Sequence, residues 1–271
     1  MLFARIVTAL VLAPLVIWAI IALPPIGFLV LISVAFAICA WEWLGLSLLE
    51  STANRFVLTP ILIAPAVIAS QLDSVSSSTW VNVFAMWWLL VPVILFVVQW
   101  RQHFPVLKTR TITLLGMGVL SAAILSLLSL YNLQHGMYWV FTVLTAVWAA
   151  DIGAYISGKL IGGPKLAAFI SPGKTWAGFI GGLIVGSGAV LTIIYFKIPG
   201  MVFSPGLIAL VVITVIVSVG GDLWVSLLKR MSGIKDSGNI LPGHGGLLDR
   251  LDSLIAAAPV LSTGLLMLGV Q

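Results

Sequence analysis

The chain has 271 residues, of which 61% are hydrophobic and 8% charged, with a net charge of +5 and a mean hydropathy of +1.20. That much apolar surface excludes a soluble globular domain and implies an all-α, polytopic integral membrane protein, because a segment in lipid must satisfy its own backbone hydrogen bonds. The single cysteine, Cys39, excludes a disulfide framework and a cysteine metal site; the positive charge suits anionic lipid headgroups or a polyanionic substrate, and equally the basic loops of any membrane protein.

Apolar runs of about 20 residues predict nine transmembrane helices, over 6–23, 27–46, 56–72, 81–100, 112–131, 138–157, 177–196, 206–226 and 247–269. The first, with Arg5 ahead of an apolar run to Leu23, has the look of a signal peptide. Its length, the lack of a small-residue cleavage site and the step from Pro24-Pro25 into another apolar span favour a transmembrane helix. Pro60 and Pro65 interrupt the third span. The seventh carries Gly178, Gly182 and Gly186 at intervals of four. This small-residue face admits close helix approach, either inside the bundle or across a homodimer contact. Trp41, Trp43, Trp80, Trp87, Trp88, Trp100, Trp139, Trp148, Trp176 and Trp224 lie mostly near predicted helix ends and read as interfacial anchors.

With the N-terminus in the cytoplasm, every Lys and Arg except Lys197 falls on the cytoplasmic side, and Gln271 lies outside. Residues 1–140 then form N-terminal membrane helices, and 141–271 form a region with cytoplasmic loops 157–176 and 227–247. Glu42, Asp151 and Asp222 fall toward the cytoplasmic ends of their helices, and Asp249 and Asp252 open the last one. Ionisable groups at such depths are functional candidates by default. Glu50 and Asp73 read as solvated loop charges, and His103 and His135 as isolated loop residues.

The charge concentrates in Ser226–Ser253. Asp249 and Asp252 are three apart and share a helix face, and Asp222 lies on the preceding helix. Carboxylates from two adjoining helix ends can hold Mg²⁺, with Asp236 as a fourth ligand. The competing reading is an interhelical salt-bridge cluster with Arg250 and Lys229. Lys229, Arg230 and Lys235 can neutralise a triphosphate or a phospholipid headgroup, or simply mark the cytoplasmic side. The turn Leu241-Pro-Gly-His-Gly-Gly246 leads into the last helix. Gly243, Gly245 and Gly246 allow backbone amides to approach a phosphate, and His244 can bond phosphate or assist proton transfer.

A second polar patch runs from Asp151 to Trp176 and supplies Lys159, Lys165, Ser171, Lys174 and Thr175. Gly173-Lys174-Thr175 has the end of a phosphate-binding P-loop. The required upstream glycine position is Ala168, and no strand is predicted before it, so a P-loop is rejected.

Ser226-x-x-Lys229-Arg230, Lys235-Asp236 and Leu241-Pro-Gly-His244-Gly-Gly-x-x-Asp249-Arg250-x-Asp252 together resemble the signature of the CDP-diacylglycerol synthases (phosphatidate cytidylyltransferases). Asp151-x-x-Ala-Tyr155-x-x-Gly158-Lys159, Ser171-Pro-x-Lys174-Thr175-Trp176 and Gly221-Asp222 are similar to that family's other conserved region. The resemblance covers residues 150–255, and the first 140 residues match only as membrane helices. Family members often carry Lys at the position of Gly173 and an acid at that of Ala177, which weakens any role for those two positions here.

The resemblance implies cytidylyl transfer from CTP to phosphatidate with Mg²⁺ required and a second cation, K⁺, at the same centre. It also implies a bacterial inner membrane with the C-terminus periplasmic. On that reading Asp222, Asp249 and Asp252 hold Mg²⁺, Lys229, Arg230 and Lys174 offset phosphate charge, and the His244 turn cradles phosphate. Ser171, Thr175, Lys235 and Arg250 complete the nucleotide site. Membrane lipids are expected partners and nucleic acid is not. Two alternatives compete: a CTP-dependent polyprenol kinase, and a transporter whose acids mark an ion path. The crowding of acids on one side and the absence of a clear internal repeat speak against the transporter.

Overall fold

The computed structural model describes residues 2–47, 51–70, 74–241, 243 and 245–270, with side chains from residue 11 onward except 74–78. Glu50, Asp73, His244 and Gln271, each given a reading from the sequence, lie outside the described residues. The elements in chain order are α1 (Leu2–Ala22), α2 (Pro25–Leu46), α3 (Thr52–Ala69), α4 (Ser74–Arg101), α5 (Thr109–Asn132), α6 (Gly136–Leu160), β1 (Lys165–Ala167), β2 (Ser171–Thr175), α7 (Trp176–Lys197), α8 (Pro205–Met231) and α9 (Leu248–Met267). Eight of these helices, α2 to α9, are long and apolar enough to cross a membrane, and α1 contributes the shorter apolar segment Val11–Ala22. The chain is a helical, multi-pass membrane protein, and each predicted span corresponds to a helix.

Short elements account for where sequence and structure differ. An antiparallel hairpin, β1–β2, stands between α6 and α7, pairing Lys165 with Thr175. A strand therefore does run into α7, contrary to expectation; the P-loop is still excluded, because Ala168 stands where its first glycine must be. Thr175 ends the strand and caps the helix, its Oγ1 accepting the Gly178 amide at 3.1 Å. The third span, interrupted in sequence by Pro60 and Pro65, is one helix with both prolines inside it. Ser121 of α5 donates to the Leu62 carbonyl at 3.0 Å, tying α5 to α3.

The glycine face of α7 packs on α6. A Cβ at Gly178 would sit 2.8 Å from the Ala154 carbonyl oxygen, and one at Gly182 2.7 Å from that of Ala150. The small residues thus serve close packing inside the bundle. Not all tryptophans are interfacial anchors. Trp43, Trp88, Trp139 and Trp224 are buried in the core, and Trp43 Nε1 donates to the Ile112 carbonyl at 2.8 Å, tying α2 to α5. Trp18, Trp100 and Trp176 are exposed, as anchors should be.

Candidate active site

Helix α8 presents one face to the site. Asp222, Ser226 and Lys229 lie four and seven residues apart, spacings that return to the same side of an α-helix. Ser226 Oγ donates to Asp222 Oδ1 at 3.3 Å. Gly221 lets α9 lie directly against this face, since a Cβ there would stand 2.5 Å from the Asp252 carbonyl oxygen and 2.7 Å from Ala256 Cβ. The Gly221-Asp222 pair is thereby explained. The glycine sets the helix separation and the aspartate occupies the space beside it.

Two ion pairs bridge the elements. Lys174 of β2 reaches α8, with Nζ 2.5 Å from Asp222 Oδ2. Lys229 of α8 reaches the start of α9, with Nζ 2.7 Å from Asp249 Oδ1. The other oxygen of Asp249 accepts the amides of Ser237 at 2.9 Å and Gly246 at 3.1 Å. Asp249 sits in the first turn of α9, where a carboxylate can fold back onto free amides and is favoured by the helix dipole. Asp252 is buried, and its Oδ1 accepts the amide of Ser253 at 2.7 Å.

These groups line one cavity of about 590 Å³. Its lining holds Asp151, Asp222, Asp236, Asp249 and Asp252 with Lys229 and Arg250, together with apolar residues that include Leu12, Ala13 and Val16 of α1, Val147 and Trp148 of α6 and Leu241, Leu247 and Leu251. The expected residues Asp222, Lys229, Asp236, Asp249, Arg250 and Asp252 are thus brought together, and Lys174 joins them through Asp222.

Others are not. Arg230 and Lys235 are exposed and do not line the cavity. Arg230 is one residue past Lys229, which turns it about 100° around the helix. Thr175 is spent on capping α7, and Ser171 begins β2 outside the cavity. Gly243 and Gly245 have φ of 77° and 80°, the left-handed region that a tight turn before α9 demands. The Gly246 amide is directed to Asp249.

Sequence reasoning left two residues without a role. Asp151 of α6 shares the cavity with Asp222. Glu42 of α2 is 3% exposed and accepts the amides of Leu247 at 3.1 Å and Leu248 at 2.7 Å and the hydroxyl of Ser237 at 3.1 Å. Its depth in the second span marked it as a candidate; partners some 200 positions away leave no signal in spacing.

Among the described residues no three acidic, His or Cys side chains already converge as a metal site. The donor set nevertheless fits a hard divalent cation. Five carboxylates share the cavity, while Lys229, Arg250 and the Asp222-bound Lys174 supply three positive charges. The formal excess of negative charge and the all-oxygen ligand chemistry suit Mg²⁺, which keeps several waters and binds through one or two carboxylates plus substrate phosphates.

The family model described as the Cytidylyltransferase family matches residues 3–268. The phosphatidate cytidylyltransferase of Pseudomonas aeruginosa is 36% identical over 275 residues, covering 96% of this chain and 95% of that protein. That of Haemophilus influenzae is 33% identical over 290 residues, covering 97% and 98%. A Brucella suis phosphatidate cytidylyltransferase is 46% identical over 127 residues, 46% of each chain. A match over nearly the whole length makes this chain a member of the Cytidylyltransferase family.

Proposed function

We propose that this protein transfers the cytidylyl group of CTP to phosphatidate, giving CDP-diacylglycerol and pyrophosphate. The observation that carries the reading is one cavity whose lining joins a cluster of charged groups, most of them from α8, α9 and their loop, to apolar residues that include those of α1 and α6. A polyanionic nucleotide and a lipid phosphate can meet there with the acyl chains against the apolar lining. The relatives of P. aeruginosa and H. influenzae bear the name of this activity.

The chemistry asks little covalent work of the protein. An oxygen of the phosphatidate phosphate attacks the α-phosphorus of CTP, the bond from that phosphorus to the α–β bridging oxygen breaks, and pyrophosphate leaves with that oxygen. The nucleophile is already anionic, so no general base is needed, and catalysis is positioning plus charge stabilisation. Lys174, Lys229 and Arg250 offset the charge of two anions brought together. Asp222, Asp249, Asp252 and Asp236 are the residues to hold Mg²⁺, which when bound polarises phosphoryl oxygens and neutralises developing charge. Asp222 and Asp249 would hold the ion, and Lys174 and Lys229, paired with those two carboxylates, stand where they can meet phosphate. K⁺ is proposed as a second cation on the family resemblance. The cavity faces the cytoplasm of a bacterial inner membrane, on the side where the basic residues gather.

The test is an assay of purified protein with phosphatidate and CTP labelled at the α- or the γ-phosphorus. Label should enter lipid from the α position only, and with Mg²⁺ present. Entry from the γ position would overturn cytidylyl transfer in favour of a kinase.

A further inference from the structure

Glu42 belongs to α2, in the half of the chain that lends the cavity only α1 residues, yet its carboxylate lies under the turn that leads into α9. Oε1 accepts the Leu247 amide at 3.1 Å, and Oε2 accepts the Leu248 amide at 2.7 Å and the Ser237 hydroxyl at 3.1 Å. Leu247 is the N-cap residue of α9, with no side-chain cap of its own. Glu42 thus supplies from another helix the acceptor that a capping side chain would give. The loop is moulded to this carboxylate. A Cβ at Gly238 would stand 2.4 Å from Glu42 Oε1, and one at Gly246 2.5 Å from Oε2. The same segments also bind Asp249, whose Oδ2 takes the amides of Ser237 and Gly246. Two carboxylates therefore grip one loop, Glu42 from below and Asp249 from the cavity side.

We propose that Glu42 is a positioning residue for the reaction: by anchoring Ser237 and the first amides of α9, it fixes where Asp249 presents its carboxylate to the cavity. The proposal rests on the cytidylyltransferase reading for its rate measurement and on geometry alone for its amide measurement. The carboxylate is required rather than any polar group, because the two oxygens face three donors. A glutamine keeps the size but turns an NH₂ toward an amide N–H. Burial at 3% exposure removes the water that could substitute for the lost acceptor.

The experiment compares full-length wild type, Glu42→Gln, Ser237→Ala and Ser232→Ala in detergent. Ser232 is the control, since its hydroxyl ties the end of α8 to α2 through the Leu46 carbonyl at 2.6 Å, and its hydroxyl partners, the carbonyls of Leu46 and Leu228, include neither Glu42 nor Asp249. Hydrogen exchange of the amides in 245–249 is measured on ligand-free protein. Initial rates are measured with CTP, phosphatidate and a Mg²⁺ titration, per folded enzyme. Glu42→Gln is expected to speed exchange about tenfold or more. It should also lower kcat about 10- to 100-fold, as loss of a group orienting a ligand does, and raise the Mg²⁺ needed for half-maximal rate. Ser237→Ala should move all three readouts the same way by less, and Ser232→Ala none. An unchanged kcat overturns the proposal whatever the exchange does. So does a lowered kcat with unchanged exchange, or a Ser232→Ala defect equal to that of Glu42→Gln. Should Glu42→Gln not fold, Ser237→Ala decides by the same criteria. A wild type that transfers no cytidylyl group would sink the activity reading alone, leaving the exchange result to judge the anchor.

Discussion

Lys174 Nζ stands 2.5 Å from Asp222 Oδ2, so the hairpin before α7 and the inner face of α8 form one electrostatic unit. The patch Asp151–Trp176 here meets Asp222, which lies just ahead of the charged stretch Ser226–Ser253. Lys174→Gln and Asp222→Asn should each lower kcat about 100- to 1,000-fold, the range for losing one preorganised charge-stabilising group. The double variant should fall well short of the product of the two losses, because each single change already breaks the pair. Initial rates at saturating CTP and phosphatidate decide this. Near wild-type rates in both single variants would remove Lys174 and Asp222 from the mechanism.

Asp249 does more structural work than Asp236, although both line the cavity. Asp249 accepts from Lys229 and from two backbone amides, whereas Asp236 is exposed. Asp249→Asn should therefore cost about 1–3 kcal/mol of stability through poorly matched buried donors, and Asp236→Asn less than about 0.5 kcal/mol. Denaturation midpoints of the detergent-solubilised proteins give the comparison. Equal losses would contradict the assigned hydrogen bonds. Chelation with EDTA should stop turnover in the wild type, and added Mg²⁺ should restore it.

Gly221 controls how close α8 and α9 approach. In Gly221→Ala the new Cβ would meet the Asp252 carbonyl oxygen at 2.5 Å, and backbone cannot yield as a flexible side chain does. Overpacking of this kind costs about 1–3 kcal/mol, and here it also displaces Asp222 and Asp252. Folded yield and kcat should both fall. Gly188→Ala on α7, where a Cβ meets nothing within 4 Å, should be neutral or slightly stabilising, since alanine favours helix by about 1 kcal/mol over glycine. Equal behaviour of the two variants would show that the α8–α9 contact is not limiting.

The spans were legible because each is a long apolar run that must close its own hydrogen bonds in lipid, and that demand is local. The cavity's acids were legible because charge at membrane depth is rare and costly. Helical phase also separates Lys229, seven residues from Asp222, from Arg230, which turns outward; that arithmetic was available in the sequence. The β1–β2 hairpin was not, since strands of three and five residues carrying Pro172 and Gly173 show no alternation. Nor was the burial of Trp43, which depends on Gly116 of α5 opening room for its ring. Glu42 was visible as a deep acid, but its partners on the α8–α9 loop are set by tertiary packing alone.

The orientation proposed from the charge asymmetry of the sequence can be tested directly. Lys197 ends α7 and Lys235 follows α8, so the 27-residue α8 separates them, roughly 40 Å at 1.5 Å per residue. Both residues are exposed. Lys197 is the only basic residue predicted on the far side, while Lys235 lies beside the charged cavity. A membrane-impermeant maleimide applied to intact spheroplasts should label Lys197→Cys and spare Lys235→Cys. Inside-out vesicles should show the reverse. Cys39 is fully buried and should give little background. The result bears on mechanism as well as topology. A nucleoside triphosphate does not cross the bilayer, so the proposed reaction requires the cavity to open on the side where CTP is made. Labelling of Lys235→Cys from outside would place the carboxylates beyond reach of CTP and overturn both the orientation and the substrate.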